Sequence, residues 1–400
     1  MRKNTSEDVG VQRRGRRSGV RRAFLAGAVV ATTLTALTAC GLAGGGSPSG
    51  DSGGDAATFY KGKTIDLIIP YGPGGSNDAT ARFIAPLLSK HVPGNPRVQV
   101  VNVDGGGTVI GSNQFQRKPH DGMTWFVGGS NVTFQDIFKN PNAEYSVSDW
   151  TALMGFPQGQ IAYGSTSLGI KSADELPDAK EPIVLSTQDT EGASLIHVLA
   201  LQLLGVDFKV VSGYADTGAK RIAILSGEAN VNGESTLGYL QYDEPDVQKG
   251  NVIPLYSFGF PNADGGLDRD PAAPDIPTIA EVYEAVHGKQ PSGPEWDLYM
   301  GLVKANSNMQ KAFYLHADDP KAAFDAVEQG IKDMQEDPDY KSGIDKVLEG
   351  YTPIFGDELA AQYKTVVNPP AGFADNAIAY RQEITDAVGG DGTVKGLAAG

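Results

Sequence analysis

Three consecutive short apolar runs, each ending in a glycine-rich turn, limit the fold of this chain more than any other feature. The runs are Ile65 to Pro70, Val98 to Val103 and Thr124 to Val127. Their length and flanks predict buried strands. They lead into Tyr71-Gly72-Pro73-Gly74-Gly75-Ser76-Asn77-Asp78, Asp104-Gly105-Gly106-Gly107-Thr108 and Gly128-Gly129-Ser130-Asn131. Ser76, Asn77 and Asp78 offer helix caps, and Phe83, Ile84, Leu87 and Leu88 follow at helical spacing. A short helix is expected near Val109 to Arg117. The alternation resumes with strands at Ile183 to Ser186, Phe208 to Val211 and Val252 to Phe258. Helices are predicted at Ala193 to Leu204, at Ala219 to Leu225, and where Phe324, Val327, Ile331 and Met334 recur. This alternation predicts an α/β fold of mostly parallel sheets covered by helices on both faces. A chain of 400 residues has room for two such domains.

In open α/β sheets, ligands bind at the carboxyl ends of strands. Glycine lets main chain approach a ligand closely. The first two loops run into helix N-termini, whose free N–H groups favour an anion. Ser76, Thr108 and Ser130 add hydroxyl donors. Any one loop alone could be a tight strand-to-helix turn, but three in succession point to an anion site. None fits a phosphate-binding P-loop, and Gly105-x-Gly107-x-x-Ile110 breaks the dinucleotide fingerprint. No Lys or Arg lies in the three loops. A carboxylate held by neutral donors is therefore expected, in place of a phosphate chain.

The first 39 residues read as an export address. Eight basic residues precede the apolar stretch Ala23 to Ala39, which is short and diluted by threonines. It ends in Leu37-Thr38-Ala39-Cys40, which resembles the lipobox of bacterial lipoproteins and nominates Cys40, the single cysteine, for lipidation. Arg21-Arg22-Ala23-Phe24-Leu25 also resembles a twin-arginine signal, leaving two export routes open. Cleavage before Cys40 would leave 25 basic against 46 acidic residues, changing the net charge from −15 to −21. Residues 40–58 then form a lipidated, Gly/Ser-rich tether. The acidic balance speaks against a nucleic-acid partner. One cysteine leaves no internal disulfide and no multi-thiolate zinc site.

The loop residues also carry a family resemblance. Pro70-Tyr71-x-Pro73-Gly74-Gly75-Ser76-x-Asp78-x-x-Ala81-Arg82 resembles the first signature of the substrate-binding proteins of tripartite tricarboxylate transporters, the TctC or Bug family. Asn102, Gly105-Gly106-Gly107 and Ile110-Gly111 resemble the second loop, and Asp121-Gly122-x-Thr124 the approach to the third strand. Gly192-x-Ser194-x-x-His197, Ser226-Gly227-Glu228 and Pro274-Asp275-x-Pro277-Thr278-x-x-Glu281 fall in the family's order. The resemblance implies a two-domain periplasmic-binding-protein fold with a ligand cleft between the domains. Residues 59–160 and 288–400 would make the first domain and 161–287 the second. The resemblance nominates Tyr71, Gly74, Gly75, Ser76, Gly106, Gly107, Thr108 and Ser130 for one ligand carboxylate. It nominates Thr187, Gly192, Ser194 and Tyr214 for the ligand's other end. The expected partners are a small carboxylate, membrane permease subunits and, through the lipid, the cell membrane. The protein is expected to act extracytoplasmically, as a monomer, without cofactor or metal and without enzyme activity.

Departures from the family pattern are Asp104 before the second glycines, Asn230 after Gly-Glu, the displaced Gly218, and the segment Ala305 to Pro320. Other chemistry finds little support. His91, His120, His197, His287 and His316 form no close metal-binding pair, and His197 reads as a packing or capping residue. Gly192-Ala193-Ser194-Leu195-Ile196 lacks the second glycine of a nucleophile elbow. Asp318-Asp319 and Asp243-Glu244 read as solvated surface, and Asp264 to Asp270, which could suggest calcium, lacks the spacing of an EF-hand loop and reads as a plain acidic loop. Trp125, Trp150 and Trp296 read as core or hinge aromatics. The alternatives to a transport receptor are a ligand-sensing lipoprotein, an α/β enzyme acting on a carboxylate, and a structural lipoprotein.

Overall fold

The computed structural model describes residues 55–214, 217–262, 264–348 and 350–398. The expected signal segment, Cys40 and most of the tether lie outside them. The apolar runs form two mixed sheets. The first holds β1 (Thr64–Ile69), β2 (Arg97–Asn102), β3 (Thr124–Gly129) and β4 (Trp150–Phe156). The second holds β5 (Gln160–Ser165), β6 (Ile183–Thr187), β7 (Phe208–Ser212), β8 (Val231–Ser235) and β9 (Val252–Ser257). A hairpin of β10 (Phe260–Pro261) and β11 (Leu267–Asp268) follows, then β12 (Lys311–His316) and β13 (Thr393–Val394).

The strand orders are β2-β1-β3-β12-β4 and β13-β7-β6-β8-β5-β9. In the first sheet β1 pairs in parallel with β2 and β3, so the three glycine loops emerge side by side at one edge. The expectation of mostly parallel sheets needs correction. Strand β12 runs antiparallel between β3 and β4, and β5 runs antiparallel to β8 and β9. One of the strands not expected from the sequence, β8, has a clear physical reason. Val231-Asn232-Gly233-Glu234-Ser235 has almost no apolar content of its own, and tertiary pairing holds it extended.

The chain crosses between the sheets at Pro157 to Gly159 and returns between Val303 and Lys311. Helix Pro294–Val303 still packs on helix Gly192–Leu203, below the second sheet. The expected partition gave residues 288–400 to the first domain. Within that stretch, Thr393 and Val394 of β13 pair antiparallel with β7 and cover that edge of the second sheet.

Three apolar clusters hold these layers. One runs through both halves, from Phe126 and Trp150 through Phe134 and Tyr299 to Leu195 and Leu185. The second covers the outer face of the first sheet. There Val327, Ile331 and Met334 of helix Lys321–Gln335 meet Ile84 and Leu88 of helix Ser76–His91. Each such buried side chain contributes roughly 1.5–3 kcal/mol. The third lies on the outer face of the second sheet, around Ile161, Tyr163 and Ile224. All three tryptophans are buried in core. No helix among the described residues is long and apolar enough to cross a membrane.

Candidate functional site

The first loop is held by its own carboxylate. Helix Ser76–His91 starts at Gly75, and no side chain caps it in the expected manner. Asp78, buried in its first turn, reaches back instead. Its Oδ2 accepts from Gly74 N–H at 2.9 Å and from Arg82 Nε at 2.8 Å; its Oδ1 accepts from Asn102 Nδ2 at 2.9 Å. Asn102 Nδ2 also donates to Tyr71 O at 3.0 Å, and Arg82 Nη2 donates to Asn102 Oδ1 at 3.0 Å. The Arg82 contact, with the other donors, holds the Asp78 carboxyl down to about 2. These motif residues therefore brace the loop through the Gly74 N–H and the Tyr71 carbonyl. Gly74 has φ +91, and a side chain at Gly75 would meet no protein atom.

The other two loops abut the first. The Tyr71 phenol turns inward against the Gly129 backbone, and burial pushes its pKa up. Tyr71 thus ties the first loop to the third. Asp104 lies beside Gly72, close enough that a Cβ there would meet its Oδ2 at 3.3 Å. Gly105, Gly106 and Gly107 all take positive φ, as does Thr108 at φ +89. Thr108 Oγ1 is buried and makes no hydrogen bond; the nearby Tyr145 hydroxyl donates to Val132 O at 3.0 Å. Ser130 is buried, and its N–H already donates to Gln310 O at 3.1 Å.

The second half reaches this edge through helix Gly192–Leu203. Gly192, at φ +50, stands where a Cβ would meet Asn131 Oδ1 at 3.2 Å. Gln135 Nε2 donates to Glu191 Oε2 at 2.9 Å, and Arg381 Nη1 donates to Glu191 Oε1 at 2.9 Å. Gln135 in turn lies 3.3 Å from a Cβ placed on Gly107. Thr187 ends β6 with its buried Oγ1 unpartnered. Ser194 sits half-buried on that helix. Tyr214 N–H donates to Thr187 O at 3.4 Å, but its phenol donates to Glu228 Oε1 at 2.8 Å. Among the described residues no hydrogen bond joins Thr187, Ser194 or Tyr214 to the three loops.

Several motif residues have plain structural work. Thr278 and Glu281 form a capping box for helix Ile279–His287. Asn230 accepts from Val184 N–H at 2.7 Å and donates to Pro182 O at 2.8 Å, fastening β6. His197 packs on Phe258 at 4.4 Å, and a side chain at Gly233 would collide with its ring. Burial keeps His197 neutral, and neither ring nitrogen has a partner. The reading of the acidic pairs as solvated needs correction. Asp243 and Asp319 of those pairs are buried, as is Asp270 of the acidic loop; Asp319 and Asp270 are held in polar braces, and Asp243 faces Arg221 at 3.4 Å. Asp319 accepts from Gly122 N–H at 2.8 Å and His316 N–H at 3.0 Å; Asp270 accepts from Tyr351 at 2.8 Å and Thr236 at 2.5 Å.

Two buried ammonium groups were not legible as site residues. Lys220 Nζ donates to Gly233 O at 2.6 Å, and Lys311 Nζ donates to Gln158 Oε1 at 3.1 Å. Neither forms an ion pair among the described residues. A cavity of about 800 Å³ lies elsewhere, between helix Pro294–Val303 and residues 364–376. It is mostly apolar and touches none of the predicted site residues. Among the described residues no cluster of His, Cys, Asp and Glu could hold a metal ion.

No family model matches the chain. Curated relatives do. A UPF0065 protein from the tcbD-tcbE intergenic region of Pseudomonas sp. strain P51 is 26% identical over 244 residues, which is 56% of this chain and 64% of that protein. Protein BugT of Bordetella pertussis is 37% identical over 240 residues, covering 57% of this chain and 68% of BugT. A TctC solute binding protein from Polaromonas superposes with TM-score 0.56 at 15% identity, over 82% of this chain and 99% of that one. A Rhodopseudomonas palustris protein with adipate gives TM-score 0.54 at 17% identity, covering 82% and 98%. MatC from the same organism, with bound malate, gives 0.52 at 15%, covering 80% and 98%. By fold, the two sheets and their crossovers define a periplasmic-binding-protein architecture. Within that class, the chain belongs to the Bug family of tripartite tricarboxylate transporter substrate-binding proteins.

Proposed function

We propose that this protein is an extracytoplasmic receptor that captures a small carboxylate and hands it to the permease of a tripartite tricarboxylate-type transporter. The observation that carries this reading is the edge of the first sheet. There three parallel strands present glycine loops side by side, one braced by Asp78, Arg82 and Asn102 and another abutted by Gly192 of the second half. Main-chain N–H groups at Gly75, Gly106 and Gly107, with the Thr108 hydroxyl, suit a carboxylate better than a multiply charged phosphate; the Gly74 N–H is already taken by Asp78. Binding, without covalent chemistry, then shifts the protein toward the closed form. Glu191, held by Gln135 and Arg381, clasps the halves beside the loops. Lipidated Cys40 would tether the receptor, as a monomer, to the cell membrane.

Isothermal titration of the full chain with malate, adipate and citrate, paired with small-angle scattering, tests this. Saturable binding accompanied by compaction supports it. Absence of binding to every carboxylate contradicts it.

A further inference from the structure

The loops of the candidate site carry no cation, yet a buried one stands next to them. Lys311 opens β12, in register with Gly129 of β3 on one side and Phe156 of β4 on the other. It is 2% exposed. It lies where the chain crosses between the halves: Gln158, its hydrogen-bond partner, donates its own N–H to Ser307 O at 2.9 Å. The neighbouring Gln310 O accepts from Ser130 N–H of the third loop.

Two further groups on this crossover lack partners. Asn306 Nδ2 and Ser307 Oγ are fully buried and make no hydrogen bond. Both sit in the wide π-type turn Lys304–Asn308 that ends helix Pro294–Val303. Such turns are frequent at functional sites. One acceptor, Gln158 Oε1, serves an ammonium with three protons. An isolated buried charge is costly, as is an unpaired buried amide or hydroxyl. Donors without acceptors, on the same crossover as a buried cation, are what a bound anion would complete.

We propose that Lys311, Asn306 and Ser307 form a buried anion-binding basin at the crossover, and that Lys311 is the counter-charge for the carboxylate ligand. This rests on the receptor reading above and makes the ligand's charge, not only its hydrogen-bonding oxygens, the recognised feature. It also gives a role to the segment Ala305 to Pro320, one of the places where the sequence departs from the family pattern. Burial alone pulls the Lys311 ammonium down to about 8. Titratable groups on the neighbouring elements include Tyr71, Tyr351 and Asp270, Lys304 on the turn itself, and Asp357, Glu358 and Lys364 on the helix packed against that turn; none of them adds to the effect of burial on Lys311. Burial pushes both phenols well above their usual range, and Asp270 is engaged by Thr236 and Tyr351. An anion beside Lys311 would restore its charge, so ligand binding above pH 8 must take up a proton.

The test is titration calorimetry on the full chain at pH 8.5 with malate and adipate, in two buffers of different ionisation enthalpy. Wild type should take up a measurable fraction of a proton per ligand at pH 8.5, and clearly less at pH 6.5. Lys311→Met should lose that uptake and bind roughly 10- to 100-fold more weakly. Should that variant not fold, the proton count on wild type and the affinity of Ser307→Ala still decide. Binding without proton uptake, with Ser307→Ala unchanged, overturns the basin and leaves the receptor reading standing. No binding of either ligand, nor of citrate, overturns both.

Discussion

Replacing Asp78 with Ala should unlock the first loop. The carboxylate accepts from Gly74 N–H, Asn102 Nδ2 and Arg82 Nε, all within 2.9 Å. Its side chain is 4% exposed, whereas Arg82 is 52% exposed. The Arg82 contact is therefore screened and adds little to the sum. The other two are hydrogen bonds to a charged acceptor, worth about 1.5–3 kcal/mol each, and water can replace part of the Gly74 bond, so the expected loss is about 2–4 kcal/mol. The pH dependence has a definite sign. Asp78 is held down to about 2 in the folded protein, below its unfolded value near 4. Its contribution is present above pH 4 and disappears as pH falls through 2. Urea unfolding at pH 7 and at pH 2.5 measures both. Carboxylate affinity should fall as well, because Gly74 and Tyr71 lose their anchor. A difference from wild type under about 1 kcal/mol at pH 7, or one equally large at pH 2.5, refutes the brace.

Other perturbations separate binding from folding. A Cβ at Gly75 meets no protein atom and the backbone there is ordinary, so Gly75→Val should cost urea stability only about 1 kcal/mol, as a poorer helix cap, while calorimetric carboxylate binding is lost. Gly233→Ala drives a methyl into the His197 ring and should cost about 1–3 kcal/mol in urea unfolding, with partial recovery in the His197→Ala double variant. Glu191→Ala removes the acceptor shared by Gln135 and Arg381, so affinity should drop and small-angle scattering should show a more open particle. Burial raises Asp319 to about 6, so wild-type stability should decline as pH rises from about 4 through 6; that slope should flatten in Asp319→Asn.

The site's frame was legible because glycine and short apolar runs encode local geometry. Strands β1, β2 and β3, and the helices starting at Ser76 and Val109, lie within a residue or two of their predicted bounds. The roles of Asp78, Arg82 and Asn102 were not: their spacing says nothing of a brace that closes only when β2 lies beside β1. Strand β8 was hidden because its residues are polar and glycine-bearing, with pairing to β5 and β6 supplying the order. Lys311 was hidden for the same reason. At the head of Lys311-Ala312-Phe313-Tyr314-Leu315 a lysine reads as the solvated end of a strand. Only the insertion of β12 between β3 and β4 buries it. Long-range register likewise turned Asp243, Asp270 and Asp319 from apparent surface into buried carboxylates.

The receptor reading is tested most directly by a thermal-unfolding screen of the full chain against carboxylates, amino acids, phosphates and sugars. A ligand present at 100 times its dissociation constant adds about 2.7 kcal/mol of stability. The account predicts stabilisation by one class of small carboxylates, and none by phosphates or sugars. Stabilisation by a sugar or a phosphate, with every carboxylate silent, would contradict it.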